Sequence, residues 1–286
     1  MSQRSKWCLI GVPDHQAVLN VGGRLGTARG PASFRQIFAR MNGLVPVRSA
    51  CQDLGDVPIV SSIEANHEAA AGRIAAGHRE HGLSLVVGGG HDHGYSHLLG
   101  VARALGFPKK KPRLGCINID AHLDVRKPDP VITSGSPFYM AIESSVLDPK
   151  RFEEFGIQSH CNGPELWDYV KKKKVKVTEY AALRHGKAVK AFAASLSRLA
   201  KGCDALVVSF DLDAVVASSA PGVSAPQAEG ILPSEAIEMM ELAGASRKAC
   251  SLGIFELNPE HDPEQLTARL AATSAWHFFE AALKRR

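Results

Sequence analysis

The chain has 286 residues, 22% of them charged, and its formal net charge is +5. This mild charge, without aromatic residues interleaved in the lysine runs at 109–111 and 171–174, argues against a nucleic-acid surface. The six cysteines follow no disulfide framework, no stretch approaches the roughly 20 apolar residues of a membrane span, and no signal peptide is recognisable, so we expect a cytoplasmic protein with reduced thiols and no membrane contact.

Short apolar stretches alternate with helix-like stretches along the chain. Strands are predicted over residues 7–12, 83–87, 114–119, 155–158, 175–178, 205–210 and 249–255. Helices are predicted over 31–41, 61–81, from the glycines at 88–90 to about 105, over 187–200 and 233–243, and from 263 into the 280s. The alternation predicts one α/β domain over residues 1–286, with a parallel sheet between two helical layers.

Three of the predicted strands run into groups of potential metal ligands. The runs are Gly88-Gly89-Gly90-His91, Asp120-Ala121-His122-Leu123-Asp124 and Asp211-Leu212-Asp213. On an extended strand, a period of two places alternate side chains on one face, and the carboxyl ends of parallel strands share one edge of the sheet. We therefore expect six ligands to meet at the ends of three neighbouring strands: His91, Asp120, His122, Asp124, Asp211 and Asp213.

The charge of this set indicates a binuclear metal site. Four aspartates carry a charge of about −4, which two divalent cations neutralise. A ligand set rich in carboxylate and free of cysteine suits Mn²⁺ better than structural zinc. The alternative is that the aspartates cap strand ends and the histidines are ordinary loop residues, which explains any one run more readily than all three together.

The same runs, extended to include Asp92 and Ser209-Phe210, resemble the three metal signatures of the arginase or ureohydrolase family. Further segments resemble its formimidoylglutamase branch: Ser134-Gly135-Ser136-Pro137-Phe138, Ala220-Pro221-Gly222-Val223-Ser224-Ala225-Pro226 and Glu256-Leu257-Asn258-Pro259. The resemblance implies a three-layer α/β/α fold, two Mn²⁺ per chain, a homo-oligomer and hydrolysis of a C–N bond in a linear amidine.

The resemblance also implies roles for residues near the metals. An acidic residue at the position of Glu256 orients the cationic end of the substrate in the family, although a capping carboxylate is the alternative. Asp124 is predicted to accept the nucleophile's proton as well as to bind metal. Arg126 emerges near the metals and is predicted to bind an anionic group, unless it is a surface arginine. Ser134 and Ser136 are further candidates for substrate contacts.

Differences from the arginase sequence pattern narrow the range of possible substrates. Pro137-Phe138 stands where arginases carry a histidine, and Val216-Ala217 replaces an Asp-Pro step. The loop at 156–162 offers no acid for a substrate's amino group. We therefore predict hydrolysis of N-formimino-L-glutamate to L-glutamate and formamide, in histidine degradation. Two alternatives remain open: a guanidino hydrolase that releases urea from agmatine, guanidinobutyrate or arginine, and a non-catalytic metal-binding partner subunit.

Overall fold

The computed structural model describes residues 6–285; residues 1–5 and 286, the ends of the predicted domain, lie outside it. Its strands are β1 (Trp7–Val12), β2 (Cys51–Asp56), β3 (Ser84–Gly88), β4 (Leu114–Ile119), β5 (Phe152–Ile157), β6 (Lys176–Glu179), β7 (Ala205–Asp211) and β8 (Ala249–Phe255). They form a single parallel sheet in the order β2-β1-β3-β8-β7-β4-β5-β6.

Helices cover both faces of the sheet. They are α1 (Gln16–Asn20), α2 (Gly30–Phe38), α3 (Ile63–His81), α4 (His93–Ala104), α5 (Pro137–Glu143), α6 (Pro164–Lys173), α7 (Ala188–Gly202), α8 (Pro233–Ala245) and α9 (Leu266–Leu283). The predicted three-layer α/β/α fold is confirmed. Within residues 6–285, no helix combines the length and apolar character needed to cross a membrane.

Two hydrophobic cores lie on opposite faces of the sheet because successive strand residues point to opposite sides. In β1, Trp7 and Leu9 pack into the core that includes α2, α7, α8 and α9, whereas Cys8 and Ile10 pack into the core that includes α3 and α4. Such strands are buried on both faces and therefore read as continuous apolar runs in the sequence.

Helix α3 shows how local chemistry sets the element boundaries. The Ser62 hydroxyl accepts a hydrogen bond from the Ala65 backbone N–H at 3.2 Å, so the helix begins directly after Ser62. It ends at His81, and the next residue, Gly82, has a left-handed φ of 71°, which favours glycine. The helix predicted over 61–81 is therefore confirmed, with its start moved by two residues.

The sheet order corrects one detail of the predicted site. We expected the ligand-bearing strands to be neighbours, but β8 lies between β3 and β7. Crossover connections skip strands, so neighbours in sequence need not be neighbours in the sheet. Glu256 directly follows β8. It therefore lies among the residues that follow β3, β7 and β4.

Candidate metal centre

Three aspartates converge on one nitrogen of His91. The Nδ1 atom lies 3.0 Å from Oδ2 of Asp120, of Asp124 and of Asp211. An imidazole nitrogen carries one proton at most, so it cannot donate to three carboxylates. The Nδ1 atom is buried and makes no hydrogen bond of acceptable geometry. The four atoms instead surround a common point, as ligands do around a metal ion.

A second group adjoins the first. His122 Nδ1 lies 3.0 Å from Asp213 Oδ2 and 3.5 Å from Asp120 Oδ1. Asp120 therefore offers one oxygen to each group, which is the arrangement of a carboxylate that bridges two ions. Within residues 6–285, all six predicted ligands fall into these two groups. His93 and His97 lie outside both groups.

The donor chemistry fits two divalent cations. The four aspartates are buried, and among the described residues none of them pairs with lysine or arginine. Burial, reinforced by the neighbouring Asp213 carboxylate, holds the pKa of Asp211 well above its usual range. Burial likewise raises the pKa of Asp213 to about 6. Four carboxylates buried close together are energetically unfavourable without compensating positive charge. Two metal ions would supply that charge.

The ligands reach their positions by turns, which corrects the predicted extended strand. Strand β4 ends at Ile119, and Asp120 Oδ1 then accepts the backbone N–H of His122 at 2.7 Å. Asp211 Oδ1 accepts the N–H of Asp213 at 2.9 Å in the same way. Aspartate favours such turns because its side chain bonds the backbone two residues on. The prediction that alternate side chains share one strand face is therefore wrong, although the residues do converge.

His91 is held by residues that sequence reasoning did not select. Its Nε2 atom lies 2.8 Å from the Ser209 hydroxyl, which leaves Nδ1 facing the aspartates. The Phe255 ring stacks on the imidazole with a centroid separation of 4.9 Å. Residue 89 must be glycine because its backbone lies against Asp14: a Cβ there would lie 1.8 Å from the Asp14 carbonyl oxygen. A partner that fixes the second nitrogen of a histidine is a common feature of metal sites.

Asn162 anchors the segment that carries three ligands. Its Oδ1 accepts the Leu123 backbone N–H at 2.8 Å, and its Nδ2 donates to the Ala121 carbonyl at 3.1 Å. Both bonds are made to the residues that alternate with the predicted ligands in the 120–124 segment. Asp124 itself has a φ of 46°, a conformation that non-glycine residues rarely adopt and that the surrounding structure must enforce.

A cleft of about 310 Å³ opens onto both groups. His91, His122, Asp124, Asp211 and Asp213 lie at its floor, and its other lining residues include Arg126, Ser134, Cys161, Asn162, Ser224 and Glu256. Ser136 is not among them, because it is fully buried and its hydroxyl lies 3.1 Å from that of Thr133. The structure therefore brings every predicted site residue except Asp120 and Ser136 to the lining of the cleft, and Asp120 itself is fully buried.

Glu256 presents one free oxygen to this cleft. Its Oε1 accepts the His91 backbone N–H at 3.0 Å, whereas Oε2 is buried without a hydrogen-bond partner. Burial raises the pKa of this carboxyl to about 8, so a cationic partner at Oε2 would hold it ionised at neutral pH. Its φ of 65° is again unusual for a non-glycine residue.

The chain is similar to proteins of one family along nearly its whole length. The arginase family model matches residues 5–280. A formimidoylglutamase of Rhodococcus jostii is 33% identical over 270 residues, covering 92% of this chain and 82% of that protein. The crystal structure of Trypanosoma cruzi formiminoglutamase with Mn²⁺ has a TM-score of 0.89 at 31% identity, covering 99% of this chain and 96% of that one. Bacillus subtilis arginase is similar at 25% identity, with a TM-score of 0.82. This chain therefore belongs to the arginase family.

Proposed function

We propose that the chain is a binuclear manganese hydrolase that converts N-formimino-L-glutamate and water to L-glutamate and formamide, a step in histidine degradation. The observation that carries the proposal is a pair of ligand groups that share Asp120 and open into a cleft lined by Arg126, whose guanidinium has no ion-pair partner among residues 6–285. The relatives named formimidoylglutamases, and the Mn²⁺ in one of their structures, support the same reaction.

The six predicted ligands would hold the two ions. His91, Asp124 and Asp211 belong to one group, and His122 and Asp213 to the other, with Asp120 common to both. When bound, two Mn²⁺ supply the positive charge that lowers the pKa of a water molecule and orients it for attack. A cytoplasmic location and a homo-oligomeric state stay predictions of the sequence.

The chain's own side chains would bind and orient the substrate. Glu256 Oε2 accepts an N–H of the planar formimino group, and so positions the amidine carbon above the floor of the cleft. Asp124 takes up the proton that the attacking water loses, and the glutamate nitrogen gains a proton as its bond to the amidine carbon breaks. Formamide then leaves with the former amidine carbon, and glutamate with the amine.

Arg126 would bind a substrate carboxylate. Its neighbour Lys127 pairs with Asp129, whereas Arg126 has no ion-pair partner among residues 6–285. A Cβ on Gly135 would lie 3.5 Å from Arg126 Nη1 and 3.4 Å from Asp124 Oδ1, so the guanidinium and the ligand flank the same glycine. An exposed, unpaired cation beside the cleft favours an acidic substrate and repels one with a second cation.

Product analysis tests the proposed reaction. We expect the Mn²⁺-loaded protein to release formamide and glutamate in equal amounts from N-formimino-L-glutamate, as measured by NMR, and the protein stripped by a chelator to release neither. Retained metal without turnover of this substrate or of any guanidino compound would instead favour the non-catalytic subunit.

Manganese binding is expected to weaken as the pH falls. Asp213, with a pKa of about 6 in the protein without metal, must be ionised to bind Mn²⁺. Burial opposes protonation of His91, but its three aspartate neighbours outweigh burial and raise its pKa, so Mn²⁺ must displace that proton as well. Below pH 6 the apparent affinity should therefore fall at least about tenfold per pH unit. Titration calorimetry between pH 5 and 8 measures this slope, and a flat profile would contradict it.

A further inference from the structure

A third cluster of potential metal ligands lies outside the binuclear centre. It comprises His67 on α3 together with Asp92 and His93 at the start of α4, all of them buried. One ligand atom from each residue lies within 4.8 Å of the other two. The cluster shares no residue with either group of the binuclear centre, although Asp92 directly follows His91 in the chain.

Two atoms of this cluster face each other without a hydrogen bond. His67 Nε2 and Asp92 Oδ2 lie 3.2 Å apart, and each is buried without a partner of acceptable geometry. The side chains of these residues are only 4% and 2% exposed, so bulk solvent does not reach them. An unsatisfied imidazole nitrogen and carboxylate oxygen at this separation are unfavourable unless a positive charge lies between them.

Ser96 explains why His67 Nε2 presents a lone pair. The Ser96 hydroxyl lies 2.7 Å from His67 Nδ1 and 3.1 Å from His93 Nδ1, but it has only one hydrogen to donate. Its oxygen, however, can accept a hydrogen bond from both rings, and in that arrangement each histidine carries its hydrogen on Nδ1. Both Nε2 atoms are then acceptors, and a bound cation would replace the hydrogen bond that His93 Nε2 otherwise donates to Asp14 Oδ2, 3.2 Å away.

We propose that His67, Asp92 and His93 form a third divalent-cation site of zinc type. Tetrahedral Zn²⁺ with nitrogen and oxygen ligands separates neighbouring ligand atoms by roughly 3.3–3.5 Å, as its bond lengths require. The Asp92 Oδ2 atom lies 3.2 Å from His67 Nε2 and 3.7 Å from His93 Nε2, on either side of that range. Two histidines and one carboxylate, with water as the fourth ligand, form a common zinc set.

The surroundings supply the other features of a metal site. Ser96 bonds the second nitrogen of both histidines, the usual support for histidine ligands. A surface cleft of about 410 Å³ leads to His67, and Glu64 on its wall would attract a cation, whereas Glu68 there is already paired with Arg103. The ion would join α3 to the turn that carries His91, and so would brace the binuclear centre without entering the reaction.

Metal counting tests this site on the manganese-loaded protein. Protein holding two Mn²⁺ per chain is equilibrated with micromolar Zn²⁺ and desalted, and both metals are measured by mass spectrometry. We expect one Zn²⁺ per chain with both Mn²⁺ retained. Zinc gained only as manganese is lost, with a total of two ions per chain, would overturn the proposal.

Matched variants assign the third ion to these residues. His67→Phe keeps a ring of similar size, and Asp92→Asn keeps the shape of the side chain; we expect both to lose the Zn²⁺. The control His78→Phe changes another buried histidine of α3, which bonds Ser84, and should keep wild-type zinc. A third ion retained in a variant whose circular dichroism is native would contradict the assignment.

A measurement on the wild-type protein guards against variants that fail to fold. Co²⁺ replaces Zn²⁺ in sites of this kind, and a four-coordinate Co²⁺ ion absorbs strongly in the visible range. Titrating the Mn²⁺-loaded protein with Co²⁺ should produce this absorption with an end point of one ion per chain. No absorption at saturating Co²⁺ would overturn the proposal regardless of the variants.

Discussion

Asp120→Asn is expected to abolish turnover and to remove metal from both positions of the binuclear centre. Asp120 offers one oxygen to each ligand group, so the amide removes a charged ligand from both ions at once. Loss of a direct ligand should exceed the 10–100-fold cost typical of changes in supporting residues. Asp211→Asn should also abolish activity, because the His91 group loses one of its three carboxylates. Metal content and initial rate are measured on the same preparation.

An exposed aspartate of the same region provides the control. Asp129 pairs with Lys127 at the surface, and Asp129→Asn should keep wild-type turnover and two ions per chain. If Asp120→Asn or Asp211→Asn kept both properties as well, the metal centre would lie elsewhere.

Arg126→Ala is expected to raise KM and to lower kcat/KM for N-formimino-L-glutamate by about 10²-fold. A charge-assisted hydrogen bond contributes about 1.5–3 kcal/mol, and a kcat/KM ratio of 10² corresponds to the upper part of that range. Metal content should not change, since the guanidinium belongs to neither ligand group.

Lys127→Ala is a close control for this variant. It removes a cation from the next residue in the chain, but that cation is exposed and already paired with Asp129. We expect its KM to match the wild type. An unchanged KM in Arg126→Ala would show that Arg126 is only a surface arginine.

Local sequence patterns were sufficient to locate the edge of the sheet that carries the site. An apolar strand followed within a few residues by potential metal ligands is a short-range signal, and it identified the segments that begin at His91, Asp120 and Asp211. Strand β2 was missed because it is largely exposed at the edge of the sheet and therefore lacks an apolar run. Helix α6 was missed although Pro164 at its first position and the lysines at its end were usable signals.

The residues that hold the metal ligands in place were harder to predict, because some of them are far from the ligands in the sequence. Ser209 could have been predicted from the alternation of side chains along a strand. It lies two residues before Asp211 on β7 and therefore faces the same side. Asn162 gave no comparable signal, since it lies about forty residues from the backbone that it anchors. The turns at Asp120 and Asp211 replaced the predicted extended strand because the aspartate side chains bond their own backbone, a local preference that the alternation argument ignored.

The substrate assignment is tested most directly by comparing kcat/KM for N-formimino-L-glutamate, L-arginine and agmatine with the Mn²⁺-loaded protein, scoring formamide against urea. Glu256 can hold the planar cation of all three, so the choice depends on Arg126 and on a cleft whose 156–162 loop offers no acid for an amino group. Discrimination by unpaired buried polar groups can reach about 10⁴-fold. We expect formiminoglutamate to be preferred by at least about 10²-fold, with formamide as the product. Urea released from a guanidino compound at equal or greater kcat/KM would contradict the formimidoylglutamase assignment.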